Sequence, residues 1–263
     1  MKLGENDLVV CKMGTKVITQ PDRYAENGER VVDTAFLQHF AGQMATLVQD
    51  QRRQIALVSS GAVGSSEEIL FQPLRHVTDR AQTEQLQASI GQSQLMSHWI
   101  NAFVPHRMNV SQHMLTHHGV KSGLTTIRNA MLEGIVPIIN ANDGISDEEL
   151  HRGLGFGDND TLSQLVATAM NARLLVLLTD TKGVLDETGR IISDLRVEDM
   201  EEGYMSGLCA LRKGSGSGGM LSKLKNAREF VSQTGGEARI ACGKDKNALL
   251  RICNGGQAGT RIR

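Results

Sequence analysis

Residues 8–15 read Leu-Val-Val-Cys-Lys-Met-Gly-Thr, a short apolar run that takes in a lysine and is followed at once by a glycine. The run from Leu8 to Met13 predicts a strand. Lys12 would point its ammonium group at a ligand on the edge of the sheet, and Gly14 would let backbone amides come close to a phosphate. By itself the stretch is equally compatible with a surface lysine at a strand end.

The same pattern returns along the rest of the chain, where short apolar runs alternate with longer segments of helical period. The further predicted strands are Ile55–Val58, Val110–Met114, Ile135–Ile139, Leu174–Leu178, Arg239–Cys242 and Thr260–Ile262, and the predicted helices cover about 31–49, 79–103, 121–133, 161–171 and 220–232. This alternation predicts an α/β protein with a mostly parallel sheet and helices on both faces. Ligands bind outside the carboxyl ends of such strands, where polar clusters stand at 59–61, 140–143 and 179–180.

Three details of this prediction are specific enough to test. In the long helix, Leu86, Ile90 and Trp99 are the predicted inward residues. Residues 183–192 predict a short hairpin that turns at 187–189. Residues 193–213 have the weakest pattern and predict a mobile connection.

Composition excludes several classes of protein. The chain has 263 residues with a formal net charge of -1, which gives no reason to expect nucleic acid or an anionic membrane as partner. Its apolar runs, such as Leu174 to Leu178, are far too short to span a bilayer, and the N-terminus lacks the order of a signal peptide. The four cysteines are scattered without a CxxC pair, so we expect free thiols in a reduced cytoplasm and no structural zinc.

A glycine- and serine-rich stretch, Gly214 to Lys223, leads into a predicted helix. Backbone amides at a helix N-terminus favour phosphate, and Lys223 adds a positive charge in the first turn. The stretch matches GxGxxG, but no apolar strand precedes it, so a dinucleotide site is disfavoured. It is not a Walker A motif, because Met220 follows Gly219 where a lysine would be required. The alternative reading is a flexible linker.

Two further turns carry polar groups. Ser60 and Gly61 follow a buried strand and would present a hydroxyl and amides to an anion, although a simple helix cap explains the serine equally well. Asp160 stands at another helix entry, where an aspartate usually caps the helix; near Lys12 and Lys223 it would instead hold two ammonium groups in position. The histidines, including His113, lack metal-ligand spacing and are interpreted as exposed or packing residues.

These groups fit phosphoryl transfer, because that reaction needs alignment and positive charge around the γ-phosphoryl oxygens more than covalent help from the protein. Two lysines from distant segments and glycine-rich amide clusters supply this. A carboxylate acceptor is already ionised at neutral pH, so it needs no general base. The sequence therefore predicts an ATP-dependent kinase of a carboxylate.

The motifs also resemble, in order and over nearly the whole chain, those of the amino acid kinase family, and within it the members that phosphorylate glutamate. The matching segments are Val10–Thr15, Val58–Val63, Ile90–Ser93, Val136–Asp143, Phe156–Ser163, Leu178–Asp180 and Gly218–Leu224. The resemblance implies a three-layer α/β/α sandwich and transfer from ATP, with Mg²⁺, to the γ-carboxylate of L-glutamate, the first step of proline biosynthesis. It implies one domain over 1–263, with a substrate lobe at about 1–170 and a nucleotide lobe at about 171–263.

The resemblance also assigns roles to residues. Lys12 and Lys223 would stabilise the transferring phosphoryl group, and Asp160 would organise the two lysines. The residues implied to hold glutamate are Ser60, Gly61, Asp143 and Asn159, and those implied to hold the nucleotide are Gly14, Thr179, Asp180, Ser217, Gly218, Gly219, Met220 and Ser222. The stretch 193–213 would lie near the nucleotide. We expect a cytoplasmic homo-oligomer, a dimer or tetramer, that binds a small-molecule substrate.

The sequence departs from the family pattern at four places. Ala141 stands where glutamate is usual, and 117–122 is shorter than the acidic and arginine-rich stretch of the family. The segment after Gly183 is also compact. The chain ends at Arg263, so we expect it to lack the C-terminal PUA domain of many bacterial members. The first two differences keep other acceptors open, namely an N-acylated glutamate or another carboxylate or phosphonate. A non-catalytic protein that binds ATP or an amino acid is a further alternative.

Overall fold

A computed structural model describes residues 3–21, 30–72, 74–116, 119–142, 159–210 and 217–263. Its main sheet has eight strands in the order β5-β6-β4-β1-β7-β9-β10-β8. These are β1 (Leu8–Met13), β4 (Gln54–Ser59), β5 (Val110–Leu115), β6 (Val136–Ala141), β7 (Leu174–Thr179), β8 (Asp194–Leu195), β9 (Glu237–Cys242) and β10 (Thr260–Ile262), and a separate hairpin pairs β2 (Thr19–Pro21) with β3 (Arg30–Val32). The pairs from β5 to β9 are parallel, and only β10 runs antiparallel to its neighbour β9.

Helices cover both faces of this sheet. They are α1 (Thr15–Ile18), α2 (Thr34–Ala45), α3 (Ala62–Ser66), α4 (Arg80–Phe103), α5 (Val120–Leu132), α6 (Asn159–Ala169), α7 (Glu202–Ala210), α8 (Ser217–Thr234) and α9 (Ala248–Cys253). One core, around Phe40 and Trp99, joins α2, α4 and α9 to the sheet. The other, around Leu162 and Phe230, joins α5, α6, α7 and α8. The result is the three-layer α/β/α sandwich with a mostly parallel sheet that the sequence predicts.

The alternation of side chains along β1 explains how one strand serves both cores. Val9, Cys11 and Met13 belong to the core with α2 and α4, whereas Leu8 and Val10 belong to the core with α6 and α8. Successive side chains on a strand point to opposite faces. Lys12 therefore faces the layer that contains α6 and α8.

The predicted strands and long helices are confirmed, and most of their ends are shifted by one to a few residues. The predicted turn at 187–189 is also present, because Leu185 pairs with Ile191 and Gly189 has φ +80°. Trp99 is buried as predicted, but Leu86 is 38% exposed, so that inward assignment was wrong. Periodicity alone does not show which face of a helix is covered at each of its turns.

Residues 193–213 were predicted to be a weakly patterned, mobile connection, and their described part contains regular elements. The residues to Ala210 form β8, a 3₁₀ turn at Val197–Asp199 and α7. Met200, Met205 and Cys209 are buried against the core that contains α8. Helix α7 is short and its apolar residues are widely spaced, so it is stabilised by tertiary packing and not by a strong local pattern.

Candidate active site

The carboxyl ends of the central strands bring the predicted polar clusters together. Met13 of β1 lies beside Ser59 of β4 and Leu178 of β7 in the sheet. Ser60 follows β4 directly, and its backbone N–H donates to the Met13 carbonyl over 3.0 Å. Turns that are far apart in sequence therefore share one edge, as expected for a parallel sheet.

Asp160 lies between two lysine side chains at this edge. Lys12 Nζ is 2.7 Å from Asp160 Oδ1, and Lys223 Nζ is 2.8 Å from Asp160 Oδ2. The three side chains are only 7%, 11% and 6% exposed for Lys12, Lys223 and Asp160 respectively. They come from β1, α8 and α6, so the contact joins three elements that are distant in sequence.

The electrostatics of this cluster favour an ionised carboxylate. Burial pushes the pKa of Asp160 upward, but the charges and hydrogen bonds of Lys12 and Lys223 more than reverse this effect, so its pKa lies below the usual value. Two ammonium groups share one carboxylate, which leaves a positive surplus within the cluster of three. Such a cluster can attract the negative oxygens of a phosphoryl group.

Gly14 lies against the same cluster. A Cβ added at Gly14 would lie 3.6 Å from Lys12 Nζ, so a larger side chain would occupy the space beside the ammonium group. Gly14 also precedes α1, whose first N–H groups are free of intrahelical partners by geometry. The space next to Lys12 is therefore bordered by backbone, as the sequence predicts for a phosphate site.

A chain of side-chain amides runs along the neighbouring part of the edge. Asn159 Nδ2 donates to Ser60 Oγ over 3.1 Å and to Asn140 Oδ1 over 2.9 Å. Asn140 Nδ2 in turn donates to Gln92 Oε1 over 2.7 Å. Asn140, Asn159 and Gln92 are buried, whereas Ser60 is half-buried. Asn159 is directly adjacent to Asp160, so this network adjoins the lysine cluster.

A cavity of about 230 Å³ opens beside the amide network. Its lining residues are small or uncharged: Ala62, Ala88, Ser89, Gln92, Met114, Ala141 and Asn142. Three alanines contribute to the wall, including Ala141 at the position where the family usually has glutamate. The cavity shares Gln92 with the amide network.

Thr179 and Asp180 lie at the end of β7, on the other side of β1. Thr179 Oγ1 donates to Asp180 Oδ1 over 3.1 Å, and the exposed Asp180 carboxylate lies 4.0 Å from Lys16 Nζ. On α8, Lys223 Nζ also donates to the Gly219 carbonyl over 3.3 Å, and Ser222 Oγ accepts from Asn226 Nδ2 over 3.2 Å. Of these residues, Gly219 contacts the lysine cluster directly, through Lys223.

The remaining predicted site residues are Asp143 and three residues at the start of α8. Asp143 lies outside the described residues. Ser217 and Gly218 belong to the first turn of α8, which begins three residues earlier than the sequence predicts. Met220 is buried in the core next to α6, which shows a packing contact, and its predicted place beside the nucleotide stays a prediction.

Gln92 and Asn140 are functional candidates to which the sequence analysis gave no role. Asn140 belongs to a polar cluster at a strand end, which was a usable signal. Gln92 lies within a helix among other glutamines, and it differs from Gln94 and Gln87 in belonging to the family-matching segment Ile90–Ser93, which by itself gives it no role. Only the contact between α4 and β6 reveals it.

The described residues offer neither a metal-binding cluster nor a membrane-spanning helix. Within the described ranges, no three His, Cys, Asp or Glu side chains come close enough together to hold a metal ion. Among the helices of those same ranges, none is both long and apolar enough to cross a membrane. The four cysteines all lie in described segments, and each is a free thiol.

Comparison with known sequences places this geometry in context. The model of the amino acid kinase family matches residues 7–242. A glutamate 5-kinase of Streptococcus uberis is 34% identical over 262 residues, a match that covers 96% of this chain and 93% of that protein. A glutamate 5-kinase of Nitrosococcus oceani is 35% identical over 267 residues, covering 96% of this chain and 66% of the relative.

Solved structures share the fold at low identity. Carbamate kinase from Giardia lamblia bound to citric acid has a TM-score of 0.68 at 15% identity, and the match covers 98% of both chains. An isopentenyl phosphate kinase product complex from T. acidophilum has a TM-score of 0.63 at 15% identity, covering 97% of this chain and all of that one. Identities of this size show a common architecture and leave the acceptor to be inferred from the site.

Proposed function

This chain belongs to the amino acid kinase family, and from that membership we propose that it transfers the γ-phosphoryl group of ATP to the γ-carboxylate of L-glutamate. The observation that carries the proposal is the buried cluster of Lys12, Asp160 and Lys223, with ion-pair distances of 2.7 and 2.8 Å. The relatives named glutamate 5-kinase support glutamate as the acceptor.

The proposed reaction needs little beyond alignment and charge. The acceptor carboxylate is ionised at neutral pH and attacks the γ-phosphorus directly, so no residue has to remove a proton. Lys12 and Lys223 approach the transferring group from β1 and α8, and Asp160 fixes the distance between their ammonium groups. Their positive charge stabilises the charge that spreads over the phosphoryl oxygens in the transition state.

The remaining residues are assigned by their place around this cluster. We place the acceptor at Ser60, Gly61 and Asn159, with Asp143 as a partner of its ammonium group. The nucleotide would lie along Gly14, Thr179, Asp180 and the start of α8, where the assigned residues are Ser217, Gly218, Gly219, Met220 and Ser222. Mg²⁺ would arrive with ATP and would offset part of the negative charge of the phosphates, and no residue of the chain is assigned to it.

Family membership also leads us to propose the lobes, the cellular location, the pathway and the assembly of the protein. The acceptor residues up to about 170 would form a substrate lobe, and the residues from about 171 a nucleotide lobe. The free thiols agree with a cytoplasmic location. Entry into proline biosynthesis and assembly as a dimer or tetramer complete the proposal.

The wall of the cavity favours a second acceptor class. Its described lining residues carry no charged side chain, and three of them are alanines. Such a wall suits the uncharged amide of an N-acylated amino acid better than the ammonium group of free glutamate. An N-acylated glutamate is therefore the second candidate.

Trapping of the acyl phosphate with hydroxylamine distinguishes these possibilities. The protein is incubated with ATP, Mg²⁺ and hydroxylamine, and hydroxamate is measured with L-glutamate, N-acetyl-L-glutamate or L-aspartate. Selective signal with free glutamate supports the proposal, and signal only with the acetylated acid supports the second candidate. The Lys12→Met variant should give no signal with either. Measurable ATP binding without hydroxamate from any acid contradicts both.

A further inference from the structure

The direction of the hydrogen bonds in the amide network is fixed by one backbone group. The Ala141 N–H donates to Asn140 Oδ1 over 2.9 Å and to Asn159 Oδ1 over 3.2 Å. A backbone N–H can only donate, so the side-chain atoms that face it must be oxygens. Neither amide can be turned around without placing an NH₂ group against that N–H.

The fixed orientation of the two amides determines where their NH₂ groups point. With their oxygens on Ala141, Asn140 directs its NH₂ at Gln92 and Asn159 directs its NH₂ at Ser60. Ser60 Oγ therefore accepts a hydrogen bond from the protein. Its own proton remains available to donate, and a carboxylate can only accept.

Gln92 holds the other end of the network from the opposite helix layer. Asn140 lies on the same face of strand β6 as Val136 and Ile138, whose side chains belong to the core with α4. Gln92 Oε1 accepts from Asn140 Nδ2 over 2.7 Å, and Asn140 is 2% exposed. Without this acceptor the buried NH₂ loses that partner, which costs free energy and releases the orientation of Asn140.

We propose that Gln92 is a positioning residue: it holds in place the Asn140 side chain that the Ala141 N–H orients, and through Asn140 and Asn159 this leaves the Ser60 proton free to donate to the acceptor carboxylate. This inference rests on the proposed kinase function and adds a residue that acts without touching the phosphoryl group. Gln92 also lines the cavity, so a direct contact with the acceptor is the competing explanation, and the experiment separates the two.

A double-mutant cycle tests the inference on the acid that gives hydroxamate. Gln92→Met should raise the acceptor KM about tenfold, the order expected for weakening a hydrogen bond to a charged group, and leave the KM for ATP unchanged. In an Asn140→Ala background the same substitution should change the acceptor KM less than about twofold, because the effect passes through Asn140. The matched control is Gln94→Met on the same helix, whose amide binds Glu68 instead, and it should leave both KM values unchanged.

The outcomes separate this inference from the proposed function. Turnover with an unchanged acceptor KM in Gln92→Met overturns the positioning role alone, and so does an effect that persists in the Asn140→Ala background. If the wild-type protein phosphorylates no acid, the proposed function fails, and hydrogen exchange at the Ala141 amide becomes the measurement. Faster exchange in Gln92→Met than in Gln94→Met then supports the network, and equal exchange overturns it. Gln92→Asn, which is too short to reach Asn140, replaces Gln92→Met if that variant does not fold.

Discussion

Asp160 is held so that both of its oxygens are committed to lysines, at 2.7 and 2.8 Å. A carboxylate with a lowered pKa and two cationic partners is a poor proton acceptor at neutral pH. Its geometry instead suits a structural role, since it keeps two like charges at a fixed separation in a buried site. The rate of phosphoryl transfer is then expected to depend on the lysines, and their placement on Asp160.

Replacing Lys223 tests this division of roles. Lys223→Met should lower kcat by roughly 30- to 900-fold, which corresponds to a loss of about 2–4 kcal/mol of transition-state stabilisation. Steady-state kinetics with saturating ATP and acceptor measure the change. The control is Lys225→Met on the same helix, because Lys225 pairs with the exposed Glu202 away from the site, and kcat should stay within about twofold of wild type. Near-normal turnover in Lys223→Met would remove this residue from the catalytic cluster.

The cluster of Lys12, Asp160 and Lys223 was largely predictable from the sequence because Lys12 and Asp160 stand near a strand or helix end. Lys223 was predicted in the first turn of its helix, but α8 begins at Ser217, so Lys223 lies in the second turn. Parallel strands bring such ends to one edge, whatever the details of packing. Gln92 was not predictable, because its relevance depends on how closely α4 approaches β6. The roles of all four residues remain predictions until kinetics test them.

At the scale of the elements, the contact between α3 and α4 controls how closely α4 approaches strand β6. Gly91 faces α3 so closely that an added Cβ would overlap the Ala62 carbonyl oxygen and the Ser66 backbone nitrogen. Backbone atoms cannot yield as the end of a long side chain can. Gly91 therefore sets the spacing between the two helices, and Gln92 next to it depends on that spacing.

A pair of glycine substitutions measures this effect. Gly91→Ala should lower the free energy of unfolding in urea by about 1–3 kcal/mol, because the overlap forces α3 and α4 apart. Gly207→Ala in α7 is the matched control: its added Cβ would meet nothing within 4 Å. There alanine should stabilise by about 0.5–1 kcal/mol through its higher helix propensity. Equal effects of the two substitutions would show that close packing at Gly91 is unimportant.

The elements that sequence reasoning missed are short ones that rely on tertiary contacts. α9 has six residues and α1 has four, too few for a helical period to be recognised. Leu249 and Ile252 bury α9 in the core with α2, and such packing leaves no local signature. The long elements were recoverable because their apolar residues repeat over several turns or fill a whole strand.

At the scale of the molecule, the fold class followed from the alternation of strands and helices, but the order of strands did not. The sheet places β1 in its middle between β4 and β7, a choice that depends on which apolar faces complement one another. One consequence is that Asp160 connects parts of the chain far apart in sequence, from β1 near one end to α8. The cluster thus contributes to the stability of the whole fold as well as to the proposed chemistry.

The pH dependence of unfolding tests this global contribution. Because the pKa of Asp160 is lowered in the folded protein, its stabilising effect is fully present above the unfolded pKa of about 3.9 and is lost as pH falls through the folded pKa. Asp160→Asn leaves two buried ammonium groups without their carboxylate and should cost about 3–5 kcal/mol at pH 7. The difference between wild type and variant should shrink steadily from about pH 5 toward pH 2, as wild-type Asp160 itself becomes neutral. Urea unfolding at successive pH values measures it, with Glu187→Gln on the exposed turn as a control that should leave the profile unchanged. A difference that stays constant with pH would mean that Asp160 stabilises the protein by its shape and hydrogen bonds and not by its charge.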